Sequence, residues 1–326
     1  MAYTTIDDPS AYFQTTLYTG NGGTLAVTNG GNSDLQPDWL WLKKRNASVN
    51  HFLFDSVRGA SKELNSNNTE AEASPSNYLS SFNSDGFTIG SDSDINGSSD
   101  THVAWQWKET ADAGFDIVSY SGNNSTNRQI SHSLSAKPDM MIVKCRQSGL
   151  WKIYHSSLGA TKYLVLSDTA AAVDNNSTWN DTEPTSSNFT LGDDGNVNET
   201  GETYINYLFA EKKGFSKIGS YIGSGSNSFI YTGFKVGWLL VKVADGTNGW
   251  LVIDTKRSPA NPQGKFVYAN ASSAEGTVTY GEFFSNGFGW KGTNSIAVNQ
   301  SGKQYIYYAI AENPFVTSTG VPATAR

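Results

Sequence analysis

A nine-residue stretch that occurs three times limits what this chain can become. Its copies are Thr101-His102-Val103-Ala104-Trp105-Gln106-Trp107-Lys108-Glu109, Thr203-Tyr204-Ile205-Asn206-Tyr207-Leu208-Phe209-Ala210-Glu211 and Gln304-Tyr305-Ile306-Tyr307-Tyr308-Ala309-Ile310-Ala311-Glu312. Alternate residues are apolar in each: Val103, Trp105 and Trp107, then Ile205, Tyr207 and Phe209, then Ile306, Tyr308 and Ile310. A period of 2 carried by β-branched and aromatic residues predicts a β-strand with one fully buried face. The closing glutamates recur at about 100 residues, the size of a domain and far longer than a solenoid turn of ~20–50 residues.

The rest of the chain falls into register around that strand. Tyr18, Tyr120 and Tyr221 are equivalent, and each is followed two residues later by a turn glycine, Gly20, Gly122 or Gly223. The apolar runs Trp39–Lys43, Met140–Lys144 and Trp238–Lys242 predict strands covered on both sides. His51–Arg58, Trp151–Leu158 and Trp250–Arg257 form a third shared segment, and Asp85-Gly86 and Asn286-Gly287 mark hairpin turns. Repeats are therefore expected at 12–109, 114–211 and 215–312, each with six to eight short strands. A lead at 1–11 precedes them. A non-periodic tail at 313–326 follows, expected to dock on a neighbour or stay loose. The joints Thr110–Ala113 and Lys212–Lys213 are short, so the repeats should pack against one another. The predicted fold class is all-β: three tandem antiparallel β-sandwich repeats, since one sheet alone would leave an apolar face wet.

Composition agrees with that and narrows the function. The 326 residues include 32 Gly and are 13% aromatic, and no long segment has a 3.6-residue period. A net charge of −7 without a basic stripe argues against nucleic-acid binding. No apolar run reaches the ~18 residues of a membrane span, and Met1–Asp8 lacks the features of a secretion signal. The single cysteine, Cys145, follows an apolar strand and reads as a packing residue.

The repeated segments, together with Ala311-Glu312-Asn313-Pro314-Phe315-Val316 and the terminal Thr324-Ala325-Arg326, resemble triple-repeat proteins of marine tailed bacteriophages. The resemblance covers nearly the whole chain. It implies concanavalin-like (lectin or laminin-G-like) jelly-roll repeats and association with the virion, and it brings no catalytic motif. The first joint, Thr110–Ala113, is shorter than the Gly/Ser/Thr-rich linker of such proteins.

Candidate chemistry is sparse. There is no phosphate-binding loop, no Cys-x-x-Cys pair and no His-Glu-x-x-His. Gly223-Ser224-Gly225-Ser226 looks like a nucleophile elbow but aligns with the turns Gly20-Asn21-Gly22 and Gly122-Asn123-Asn124. Glu109, Glu211 and Glu312 could serve as acids, yet a glycosidase needs two carboxylates at ~5–9 Å across one site, and a glutamate recurring at a strand end fits a structural bond. Asp92-Ser93-Asp94-Ile95-Asn96-Gly97 resembles the start of a calcium loop, but Val103 stands where a bidentate Glu belongs. His155 occupies the place of Asp55 and Asp254, which sit three residues before Arg58 and Arg257 and predict a local ion pair or turn contact. Trp39, Trp41, Trp105 and Trp107 read as core, whereas Trp151, Trp179, Trp250 and Trp290 remain candidates for exposed sugar platforms.

The expectation is a non-enzymatic virion protein that decorates a capsid or belongs to a tail or fibre, made in the host cytoplasm. Its expected partners are other virion proteins, further copies of itself with a trimer preferred, and host-surface carbohydrate. No catalytic residue, cofactor or metal is assigned, and neither nucleic acid nor membrane insertion is expected. The alternative is a lectin-like module or glycan hydrolase on the same fold.

Overall fold

A computed structural model describes residues 3–323, so Thr324-Ala325-Arg326 lie outside the described residues. The protein is built from antiparallel sheets, and the three α-helices among the described residues are single turns of four residues. One sheet has the spatial order Phe13–Thr19, Thr101–Trp107, Trp39–Lys44, His51–Asp55. A second, of six strands, is centred on Lys152–His155, Met140–Cys145, Thr203–Phe209 and Phe115–Ser121. A third has eight strands and is centred on Ser216–Ile222, Gln304–Pro314, Phe234–Val243 and Leu251–Asp254. Smaller sheets cover the first two: Leu25–Val27, Gly86–Ile89 and Leu79–Asn83 over one, Arg128–Ser131 and Asn188–Leu191 over the other. In the third group the far strands return to bring Phe283, Phe288 and Trp290 against Leu239, Val241 and Tyr305. Each arrangement is a β-sandwich with its own core.

Trp105 pairs with Thr15 and Trp41, Tyr207 with Ile117 and Ile142, and Tyr308 with Ile218 and Leu240. The three residues thus hold one register position, and all are buried. The tyrosine-glycine turns also recur. Tyr18 stacks on His102, Tyr120 on Tyr204 and Tyr221 on Tyr305, with centroids 4.8, 5.1 and 5.0 Å apart. Their hydroxyls donate to the carbonyls of Ile95, Val197 and Val298. Two residues on, the backbone passes so near the opposite loop that a Cβ on Gly20 or Gly122 would overlap the carbonyl of Gly97 or Glu199.

The expectation of a single buried face is corrected: both faces of the recurring strand are buried. Ala104, Leu208 and Ala309 point into the separate sandwich cores. The more apolar face, carrying Trp105, Tyr207 and Tyr308, points the other way, into one core shared by all three main sheets. Rings from different sheets meet there, with Trp39 stacked on Tyr207 at 4.5 Å, Phe209 beside Tyr308 at 5.0 Å and Trp107 edge-on to Trp238 at 5.5 Å. Such pairs add about 0.5–1.5 kcal/mol each beyond the area they bury.

The seams around this core are closed in the same rotational order. Trp151 Nε1–H donates to Asn65 O, Trp250 Nε1–H to Val165 O, and His51 Nε2 lies 3.0 Å from Tyr268 O. Backbone bonds follow the same circuit, from Glu72 N to Arg146 O, Ala172 N to Ala244 O, and Glu275 N to Arg45 O. At two seams the side chains join in: Arg146 holds Glu72 in a two-pronged bond at 2.8 and 2.7 Å, and Arg45 holds Glu275 at 2.9 and 3.0 Å. The third seam has alanine on both sides. The described parts of the lead and tail are docked on the third group. Thr4 Oγ1 donates to Lys213 O, Tyr3 packs edge-on against Phe315, and Asp7 accepts from Ser318 N.

Candidate functional site

The residues singled out in the sequence serve mostly as internal bonds. Glu109 Oε1 accepts from Ile117 N and Glu211 Oε1 from Ile218 N, each tying a strand end to the next opening strand. Glu312 lies 3.5 Å from Lys235 Nζ. Asp55 and Asp254 form fully buried ion pairs with Arg58 and Arg257 at 2.5 and 2.6 Å. A neighbouring group caps each pair: Tyr207 O–H donates to Asp55 and Trp105 Nε1–H to Asp254. His155, in the third such place, is buried and held down to about 4 by that burial. Cys145 packs in the second sandwich core.

The calcium-like loop forms a helical turn, Ser93–Asn96, in which Asp92 Oδ1 accepts from Asp94 N. Asp100 pairs with Lys44 at 2.6 Å. Asn96, buried, ties the loop to Gly90 O and to the turn at Asn21, and Asn198 and Asn299 do the same in their loops. Among the described residues no group of three His, Cys, Asp or Glu side chains is placed to hold a metal ion. Ser224 also belongs to such a turn, its amide donating to Asn299 Oδ1.

The tryptophan platforms are a correction. Trp151 and Trp179 are 0% exposed and Trp250 and Trp290 1%, because the seams and sandwich cores use their rings as filling and their Nε1–H groups as donors.

Two features had no signal in the sequence. Glu109 meets Asp116 from the next strand, and burial, reinforced by that carboxyl neighbour, pushes Glu109 up to about 7. The two carboxyl groups thus form a pair that neither Glu211 nor Glu312 shares. At the same register position the partner of Glu211 is Lys217, 2.8 Å away. The second feature is a set of buried lysines. Lys43, Lys144 and Lys242 each place Nζ among backbone carbonyls of their own strand and of the neighbouring group's loop, at Ser272, Thr69 and Thr169. Burial pushes each of them down to about 8.

Two open grooves are large enough for a ligand. One, of about 550 Å³, runs along the edge strand Phe13–Thr19 between Gly30-Gly31-Asn32 and Glu312. The other, of about 640 Å³, lies beside the edge strand Ser216–Ile222 and is lined by Tyr3, Tyr231, Glu211, Lys213 and Lys217. The lead builds its wall: Tyr3 O–H donates to Gly233 O at 2.5 Å, and Lys213 Nζ sits 4.8 Å from the Tyr3 ring centre. Of the protein's 16 Phe, 16 Tyr and 9 Trp, only Phe229 and Tyr231 are exposed among the described residues, at 53% and 56%. Phe229 directly precedes the two-residue strand Ile230–Tyr231. Tyr3 is 228 positions from Tyr231, which is why sequence spacing could not pair them.

A family model described as a domain of unknown function, DUF7483, matches residues 8–314. No curated protein matches the chain.

Proposed function

The chain belongs to that family of unknown function, and on that premise we propose a non-enzymatic structural role in a bacteriophage virion. In this reading three jelly-roll repeats, 12–109, 114–211 and 215–312, close on one another to make a rigid block for capsid decoration or a tail. The observation that carries it is the shared core: three main sheets turn their most aromatic faces inward and are tied by the same bonds in rotational order. A body sealed in this way is suited to bearing load and to presenting edges and loops outward. The resemblance to phage triple-repeat proteins supplies the setting. Self-association, as a trimer, would use the outer surface, since the inner faces are occupied.

Native mass measurement of the purified chain and a cryo-EM map of the particle test this reading. A trimer, with density for the chain on a capsid or tail, is the expected result. A monomer found on no particle, or one that degrades a host polysaccharide, overturns it. A second reading, a carbohydrate-binding module, is favoured by the exposure of Tyr231 on the wall of a polar groove. A glycan array separates the two.

A further inference from the structure

We propose that the groove between Tyr3, Tyr231 and Lys213 binds an anionic pyranoside unit of an acidic polysaccharide; this rests on the reading that the protein touches surface glycan. Its chemistry differs from the rest of the surface. Most aromatic rings are spent on cores and seams, and here Tyr231 stands 56% exposed on the groove wall. A pyranose presents a flat C–H face, which the electron-rich face of a tyrosine ring attracts, while the phenol and neighbouring polar groups engage the hydroxyls. Phe229, two residues before Tyr231, lies outside the groove lining and packs edge-on against Phe284 at 5.6 Å.

Charge selects the sugar. The chain carries a net −7, yet this groove contains two ammonium groups and one carboxylate. Glu211 is already engaged, accepting from Lys217 at 2.8 Å and from Ile218 N at 2.9 Å. Lys213 is exposed and lies over the Tyr3 ring. The uncompensated charge is therefore positive and sits beside the aromatic wall, an arrangement complementary to a uronate carboxylate or sulfate. The groove is also preformed: Tyr3 is fixed by Gly233 O on one side and Phe315 on the other, so little ordering entropy remains to be lost on binding.

Polygalacturonate serves as the acidic probe and dextran as the neutral control, with the purified full chain titrated by calorimetry or run in affinity electrophoresis. Polygalacturonate should bind and dextran should not, and affinity should fall as salt rises from about 20 to about 300 mM because the pairing is solvent-exposed. Tyr231→Ala and Lys213→Glu should each weaken binding at least about tenfold. Both side chains are exposed, so both variants should keep the wild-type melting temperature. Absence of polygalacturonate binding, binding equal to dextran, or wild-type affinity in both variants would overturn the proposal. The assay uses the isolated chain, so its failure leaves the particle-mapping result untouched, and failure of the virion reading leaves the sugar titration untouched.

Discussion

Removal of the Glu72 carboxylate is the sharpest test of how the seams are held. Glu72 accepts two bonds from Arg146 across the seam, and its Oε2 lies 3.2 Å from Nη1 of Arg58. The Arg58 side chain is 0% exposed and keeps Asp55 at 2.5 Å when Glu72 is lost. A hydrogen bond to a charged group contributes about 1.5–3 kcal/mol, and breaking a buried pair costs about 3–5. Glu72 is 9% exposed and Arg58 keeps one counter-charge, so Glu72→Ala should destabilise by about 2–4 kcal/mol. Arg146 is 25% exposed, and Arg146→Ala should cost about 1 kcal/mol. The double variant should cost less than the two together, with a coupling of about 1–2 kcal/mol. It should also fold, because the Ala172–Ala244 seam has the same backbone bond with alanine at both places. Guanidinium unfolding followed by tryptophan fluorescence measures all four corners of the cycle. Coupling below about 0.3 kcal/mol, within the additivity error, would refute the reasoning. Acid offers an independent check. Burial works against the Glu72 charge, but Arg146 and Arg58 prevail and hold its carboxyl below the ordinary value. Its stabilisation is therefore complete above about pH 4.3 and disappears as the pH falls through the lower native value.

Trp105→Ala should cost about 3–5 kcal/mol, the scale for a buried ring, and a wild-type melt would remove the strand from the core. Glu109 keeps its proton in the native state up to about 7, whereas the unfolded chain releases it near 4.3, so stability should fall as the pH rises between these values. Glu109→Gln should abolish that fall and stabilise the protein at pH about 8 by about 1–2 kcal/mol; a pH profile parallel to wild type refutes the assignment. Gly122→Ala should lose at least about 2 kcal/mol in chemical unfolding, because its Cβ would overlap the Glu199 carbonyl. An unchanged midpoint would mean the loop yields freely.

The strands were legible because Val103, Trp105 and Trp107 alternate with a period that only a pleated chain satisfies. The direction in which that face points was not. Alternation says that a face is buried and is silent on whether it meets its own covering sheet or a neighbour's main sheet. Trp151 and Trp250 were misread for the same reason: each stands just after a glycine-containing loop, directly before a short strand, and only the closing of one group on the next covers them. His51, Trp151 and Trp250 share a role without sharing chemistry, since each needs only one N–H to reach a neighbour's carbonyl. The groove was invisible because its two tyrosines are 228 positions apart and meet only when the lead docks.

The seam between Arg45 and Glu275 differs from the other two in one respect: no short covalent joint between consecutive groups tethers it. Residues 110–113 tether the first joint and 212–213 the second, whereas the third is closed by side chains, carbonyl bonds and the docked lead. It behaves as a clasp on a bracelet. Concentrated salt screens the Arg45–Glu275 pair and so weakens this clasp, while both remaining links stay threaded on the chain. Reclosure would then be intramolecular, so it would be fast and independent of how dilute the protein is.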